Sequence, residues 1–246
     1  MFNPKTEKIE KIAQKLPFRI QELDGIFDKR TNIYIDFANV ISWQEKLGWH
    51  LSLKRLKQFL DSFDTINAIK FYYGTLANDP NSERIISEAS KYKYTLITKP
   101  VKIIRLPIDV SSIPITSPAI LKDFIRLPLL QKLNIETIEY LNLKLKELNV
   151  QGIKYLEDLK CNFDVEIGRD MLIDYAENKA YNYILWSGDS DFEDPIKQLL
   201  KDGKKVVLFV TTRKVARELN ELRKEGLLIF DIQKIKEFIC WQRELG

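Results

Sequence analysis

Histidine, cysteine and glycine are all scarce in this chain, and each shortage excludes a class of chemistry. There is one histidine, His50, and there are two cysteines, Cys161 and Cys240. A Cys/His zinc site needs four ligands and only three such side chains exist. A four-cysteine iron–sulfur cluster is excluded in the same way. A Ser-His-Asp triad would have to run through His50, which follows Leu47-Gly48-Trp49 with no nucleophile motif beside it. Two distant cysteines make no disulfide framework, so a reducing cytoplasm is the expected setting. The nine glycines never fall as GxGxxG or GxxxxGK[ST], which removes the dinucleotide fingerprint and the P-loop. No apolar run approaches the roughly 20 residues of a membrane span. The start, Met1-Phe2-Asn3-Pro4-Lys5, leads into charged residues rather than a signal peptide. No membrane partner is expected.

What is abundant is charge, unevenly distributed. The formal charge is only +4, but residues 161–200 carry nine acids and three bases, between basic segments on either side. The acidic block between two basic ones marks the organisation of the chain, and the mild basic excess permits an anionic partner without establishing one.

Apolar periodicity gives the architecture. Asn32–Asp36, Ala68–Tyr73, Tyr183–Trp186, Val206–Val210 and Leu227–Phe230 read as short buried strands. Between them, Ser52–Phe63, Glu83–Ser90, Val165–Asn178, Pro195–Leu200 and Val215–Leu222 read as helices, with Ile232–Trp241 as a final amphipathic one. Lys5–Lys15 reads as an N-terminal helix that Pro17 ends or kinks. Strands alternating with helices predict an α/β fold with a mainly parallel central sheet covered on both faces. Tyr94–Ile104 suggests strands around Pro100, after which four prolines punctuate a long connection, and 136–160 turns partly helical.

In an open α/β sheet, ligands bind beyond the carboxyl ends of the strands. One strand ends in Ile35-Asp36-Phe37-Ala38-Asn39, another in Trp186-Ser187-Gly188-Asp189-Ser190-Asp191-Phe192. Between them in sequence lies Asn162-Phe163-Asp164-Val165-Glu166, followed by Asp170. Six residues of helix turn Asp170 roughly 120° away from Asp164, so the two share a view only if Asp164 caps the helix and folds back. Clustered carboxylates raise one another's pKa, and a divalent cation relieves the repulsion. An all-oxygen donor set suits Mg²⁺ or Mn²⁺, ions that promote phosphodiester cleavage.

The motifs Tyr34-Ile-Asp36-Phe-Ala-Asn39, Lys160-Cys-Asn-Phe-Asp164-Val with Asp170-Met171, and Ser187-Gly-Asp189-Ser-Asp191-Phe192, followed by Gly203-Lys-Lys205-Val, resemble in order and spacing the NYN (LabA-like) branch of the PIN-like nuclease superfamily. The resemblance spans about residues 31–235. It implies a Rossmann-like PIN/NYN fold, bound Mg²⁺ or Mn²⁺, and cleavage of RNA. It implies Asp36, Asp170 and Asp189 as the metal-binding core, with Asp191 and Asp164 in support and Asn39 as an orienter. Two departures stand out: Cys161 and Phe37 occupy positions where glycine is frequent, and a bulky Phe37 is expected to narrow the cleft. The domain division expected is a helical N-terminal extension over 1–30 and a nuclease domain over 31–246, with a variable insertion at 100–150.

Most of these acids also have a plainer reading, whereas Asp170, an acid on a helix otherwise directed at the core, needs a partner or an ion. Asp36, Asp189 and Asp164 suit turns and helix caps, while Glu166, Asp174 and Glu177 read as solvated helix face. The candidate substrate contacts are Lys160, Ser187, Lys91, Lys93 and Lys99, with Tyr92 and Tyr94 as stacking rings and Arg213, Lys214 and Arg217 as a further basic face; solvated, edge-protecting lysines explain most of these equally. Trp43 and Trp49 are expected to pack the helix after the first strand. The function expected is a metal-dependent ribonuclease. The alternatives are a non-catalytic RNA-binding module, or a nuclease for DNA or branched structures. A homo-oligomer is left open.

Overall fold

A computed structural model describes residues 1–48, 50–108, 110, 112, 114–118, 121–211 and 215–240. Trp49, Arg213, Lys214 and Trp241 lie outside the described residues. The strands are β1 (Thr31–Asp36), β2 (Ile66–Thr75), β3 (Thr95–Pro100), β4 (Lys102–Pro107), β5 (Tyr155–Lys160), β6 (Asn182–Trp186), β7 (Lys205–Val210) and β8 (Leu228–Asp231). The α-helices are α1 (Glu7–Lys15), α2 (Pro17–Ile26), α3 (Phe37–Leu47), α4 (Leu53–Leu60), α5 (Pro80–Lys91), α6 (Leu127–Leu130), α7 (Ile135–Val150), α8 (Asp164–Ala176), α9 (Glu193–Lys201), α10 (Arg217–Glu221) and α11 (Lys236–Ile239). The described chain divides into two compact units, Met1–Pro100 with Asn162–Gly246, and Val101–Cys161.

The larger unit is a six-stranded parallel sheet in the order β3-β2-β1-β6-β7-β8. The chain winds outward from β1 in one direction through β2 and β3, then returns to β6 and winds the other way. The reversal leaves a crevice at the carboxyl ends of β1 and β6, where doubly wound sheets bind ligands. Every residue of β1 and β6 is buried, as central parallel strands require. Side-chain alternation sorts the faces. Tyr34 stacks on Tyr183 on the face beneath α8, whereas Phe27, Phe59, Phe63, Trp186, Phe209 and Phe230 form an aromatic core on the other. Gly203 takes φ +70° between α9 and β7, a left-handed turn that stops the helix.

Pro17 does not bend α1. It opens α2 at the first helical position, where its missing N–H is no loss. The apolar residues of α2 form no stripe, so periodicity alone does not reveal that helix. The expected terminal helix is a 3₁₀ turn, Ile232–Ile235, followed by the short α11.

The smaller unit has its own core of Ile108, Val110, Leu121, Leu130, Ile138 and Leu145. Asn142, buried on α7, donates to the carbonyls of Ile115 and Ser117 and ties an irregular segment to the helix. β4 and β5 pair antiparallel, Lys102 opposite Lys160. The strand β5 replaces part of the helical pattern expected over 136–160, because Gly152 at φ +86° ends α7 and reverses the chain.

Candidate metal centre

Asp36 is the last residue of β1 and 94% buried. Its carboxylate accepts the backbone N–H groups of Ala38 and Asn39, capping α3. The Asn39 amide donates to Asp36 Oδ2 at 2.7 Å and reaches Ser187 Oγ at 2.9 Å, so it bridges the ends of β1 and β6. Ser187 is fully buried, and its hydroxyl also accepts the backbone N–H of Asp189 at 3.3 Å. Ser187 therefore ties the two strand ends together and presents no surface to a substrate, a correction to its expected role. Asp189 in turn accepts the N–H of Asp191 at 3.3 Å, capping the 3₁₀ turn Ser190–Phe192 whose Phe192 is buried. Asp189 and Asp191 are both exposed.

Asp164 approaches this edge from α8. It is the first residue of the helix, and Phe163 holds the cap position. The expected fold-back from a capping position is therefore absent. Asn162 does the capping work, its side-chain oxygen accepting the N–H of Asp164 at 2.7 Å. Burial raises the Asp164 pKa to about 6, opposed by the Asn162 hydrogen bond and reinforced by the charges of Asp189, Asp36 and Asp191. Burial likewise raises the Asp36 carboxyl, opposed by its hydrogen bonds from Asn39 and Ala38 and reinforced by Asp189. Four acids from three segments thus stand in one another's fields.

Asp170 is engaged by two other side chains. Its Oδ2 accepts the Tyr72 hydroxyl at 2.9 Å, and its Oδ1 is held by Arg169 at 2.8 and 3.1 Å. With Asp164 inside α8, Asp170 points roughly 120° away from it. Asp174, expected in solvent, is 99% buried and accepts Asn32 at 2.9 Å, Tyr34 at 2.7 Å and Lys70 at 2.7 Å. Glu166 pairs with Lys99 at 2.7 Å, and Glu177 pairs with Lys179.

The expected lysines separate by sheet edge. Lys99 is near the carboxyl end of β3, and its ammonium lies 4.7 Å from the centre of the Phe163 ring, beside the start of α8. Lys91 and Lys93 precede β3 and therefore lie at the opposite edge of the sheet, away from Asp36. Tyr94 is buried and donates to the Leu53 carbonyl, so it offers no stacking face. Lys160 belongs to the smaller unit. Arg217 pairs with Glu221 along α10. Phe37 turns away from the cleft and packs on Phe71 and Tyr73, so it does not narrow the opening. Trp43 is buried, in α3 as expected. Sequence reasoning missed Tyr72 and Asn162. The Asx-turn position of Asn162, two residues before a helix, is a readable signal; a buried strand tyrosine carries none.

Among the described residues, no three histidine, cysteine, aspartate or glutamate side chains stand close enough to form a ready coordination shell. Mg²⁺ keeps several waters and is bound through one or two carboxylates rather than by an all-protein cage. Open, mutually repelling carboxylates fit that mode, and a closed shell is not required of them.

A family model for the NYN domain matches residues 123–225, which includes Asp164, Asp189 and Asp191 and begins after Asp36. The low amplitude and bright protein LabA of Synechococcus elongatus is 25% identical over 214 residues, covering 85% of this chain and 87% of that protein. A crystal structure of a Vibrio parahaemolyticus protein of unknown function superposes with a TM-score of 0.51 at 15% identity, covering 86% of this chain and 96% of the other, a likeness of fold alone. Among the described residues no helix is long and apolar enough to cross a membrane. The strand-end motifs and the sheet topology thus accompany a match to the NYN domain over residues 123–225 and a similarity to a LabA protein along most of the chain.

Proposed function

We propose that this protein is a metal-dependent ribonuclease whose centre is formed by Asp36, Asp164, Asp189 and Asp191. The observation that carries the reading is the gathering of Asp36, Asp164, Asp189 and Asp191 at the end of β1, the start of α8 and the turn after β6, where burial and the three neighbouring acids raise the Asp164 pKa to about 6. Such an arrangement is unfavourable without a cation and favourable with one. Bound Mg²⁺ or Mn²⁺ would supply Lewis acidity, polarising a phosphodiester and acidifying water. Asp36 and Asp164 are the candidates to hold the ion, and the exposed Asp189 and Asp191 to complete its environment. Asn39 fixes the Asp36 carboxylate and the end of β6 in one network, which orients the donors before the ion arrives. Lys99 offers a cation to a phosphate at the same sheet edge, and the chain's basic excess favours a polyanion.

The direct test is to incubate the protein with single-stranded RNA, structured RNA, and DNA or flap substrates, with Mn²⁺ or with EDTA. Metal-dependent RNA cleavage that disappears in Asp36→Ala and Asp164→Ala is expected. Cleavage undiminished in both variants refutes the site. RNA retention on a filter with no turnover in any metal gives the binding-module alternative, and turnover of DNA alone moves the substrate class.

A further inference from the structure

We propose that Asp170 is a positioning residue: with Tyr72 it clamps α8 onto the sheet and thereby sets the placement of Asp164 relative to Asp36. The proposal rests on the metal-centre reading above and assigns a role to the acid that the sequence pattern put inside that centre.

Asp170 and Asp174 are one helical turn apart and share the sheet-facing side of α8. Each meets a tyrosine hydroxyl from a different strand. Tyr72 of β2 donates to Asp170 Oδ2 at 2.9 Å, and Tyr34 of β1 donates to Asp174 Oδ2 at 2.7 Å. The strand register links these contacts to the centre. Tyr72 pairs with Asp36, and Tyr34 pairs with Lys70, the cation that neutralises Asp174. The two clamps therefore occupy consecutive same-face positions of one strand pair, and the outer one shares its rung with Asp36. Burial, together with the accepting carboxylates, pushes both phenols above their ordinary pKa, so they remain protonated donors.

Apolar packing alone lets a helix slide and rotate on a sheet at small cost, because it is non-directional. A phenol-to-carboxylate hydrogen bond is short and directional, and fixes both settings. Asp164 stands about 9 Å along the axis from Asp170, close enough that a small rotation of α8 displaces its carboxylate. Both Asp170 oxygens are engaged, one by Tyr72 and one by the Arg169 guanidinium, so its charge is already balanced within the protein.

The experiment is Mn²⁺ titration of the full chain followed by electron paramagnetic resonance, with thermal unfolding measured in parallel. The variants are Asp36→Ala, Tyr72→Phe, Asp170→Asn and the Tyr72→Phe/Asp170→Asn double. Binding by the wild type and its loss in Asp36→Ala establish the centre; failure of either overturns the metal-centre reading and the clamp with it. Tyr72→Phe removes no carboxylate. It is expected to weaken Mn²⁺ binding by about 10- to 100-fold, the usual effect of losing a group that orients a ligand. Asp170→Asn is expected to match it, and the double variant to match either single. Wild-type affinity in Tyr72→Phe, with or without a lowered unfolding temperature, overturns the positioning role while leaving the centre standing. A loss in Asp170→Asn far beyond that of Tyr72→Phe makes Asp170 a ligand and also overturns the proposal.

Discussion

One helix, α8, contributes acids to two regions with opposite electrostatics. At Asp174 the carboxylate is buried among its own counter-groups: Lys70, Tyr34 and Asn32 all donate to it. At Asp164 the neighbours that shape the charge are Asp189, Asp36 and Asp191, opposed by the Asn162 amide. A compensated acid is a structural element, because its desolvation is offset within the fold. An uncompensated one is a demand on something outside the chain. The difference separates acids that hold the scaffold from acids that await a ligand, and residue type and spacing are blind to it.

The largest expected effect breaks the comparison from the uncompensated side. Asp164→Ala should leave the fold intact and lower RNA cleavage by about 10³-fold, roughly 4 kcal/mol of transition-state stabilisation. Steady-state rates with Mn²⁺, alongside an unchanged circular dichroism spectrum, check it. From the compensated side, Asp174→Ala should do the reverse. It strands Lys70, which is 17% exposed, and removes the acceptor of Tyr34 and Asn32, so a loss of about 3 kcal/mol in denaturant unfolding is expected. If both variants unfold equally, or both bind metal equally, the division between the regions is wrong.

A smaller effect sharpens the comparison through pH. The Asp164 pKa is raised to about 6 in the folded protein, so the native state holds its proton more tightly than the unfolded chain does. The stability associated with the protonated form is therefore present below pH 4 and is lost as pH rises through about 6. In metal-free protein, Asp164→Asn should be more stable than wild type at pH 7.5 by about 1 kcal/mol, after allowance for solvent screening, and should show no such advantage at pH 4. Added Mn²⁺ should stabilise the wild type at pH 7.5 and not the variant. Thermal unfolding at the two pH values reads all of this.

These contrasts also show how far sequence reaches. β1 and β6 were legible because buried parallel strands are continuous apolar runs, and Asp36 ends the first while Asp189 lies just beyond the second. The order of the sheet follows from the alternation of strands with helices, but its strand register does not. That register places Tyr72, whose hydroxyl Asp170 accepts, beside Asp36. Asp174 was misread because its partners, Asn32, Tyr34 and Lys70, lie at least 104 residues away in the chain. Ser187 was misread because its motif position says nothing of which way its hydroxyl turns. Tyr94 and Lys93 sit together in a basic, aromatic stretch, yet one is buried and the other lies at the far edge of the sheet. Local composition cannot distinguish the two ends of a strand.

The smallest effect follows from that last distinction. Lys99 stands at the carboxyl edge of β3 and pairs with Glu166, two residues beyond Asp164, whereas Lys91 and Lys93 stand at the amino edge. If the polyanion crosses the carboxyl edge, Lys99→Met should weaken RNA binding a few-fold and reduce the slope of log affinity against log salt by about 1. Lys91→Met and Lys93→Met should change neither. The Glu166 pairing lowers the free charge of Lys99, so the loss in affinity stays small even where the slope changes. Fluorescence anisotropy with labelled single-stranded RNA at several salt concentrations, in EDTA to prevent turnover, separates the three lysines. A slope that falls for Lys91→Met or Lys93→Met and holds for Lys99→Met would put the nucleic acid on the opposite edge of the sheet, where Asp36 and Asp164 cannot reach its phosphates.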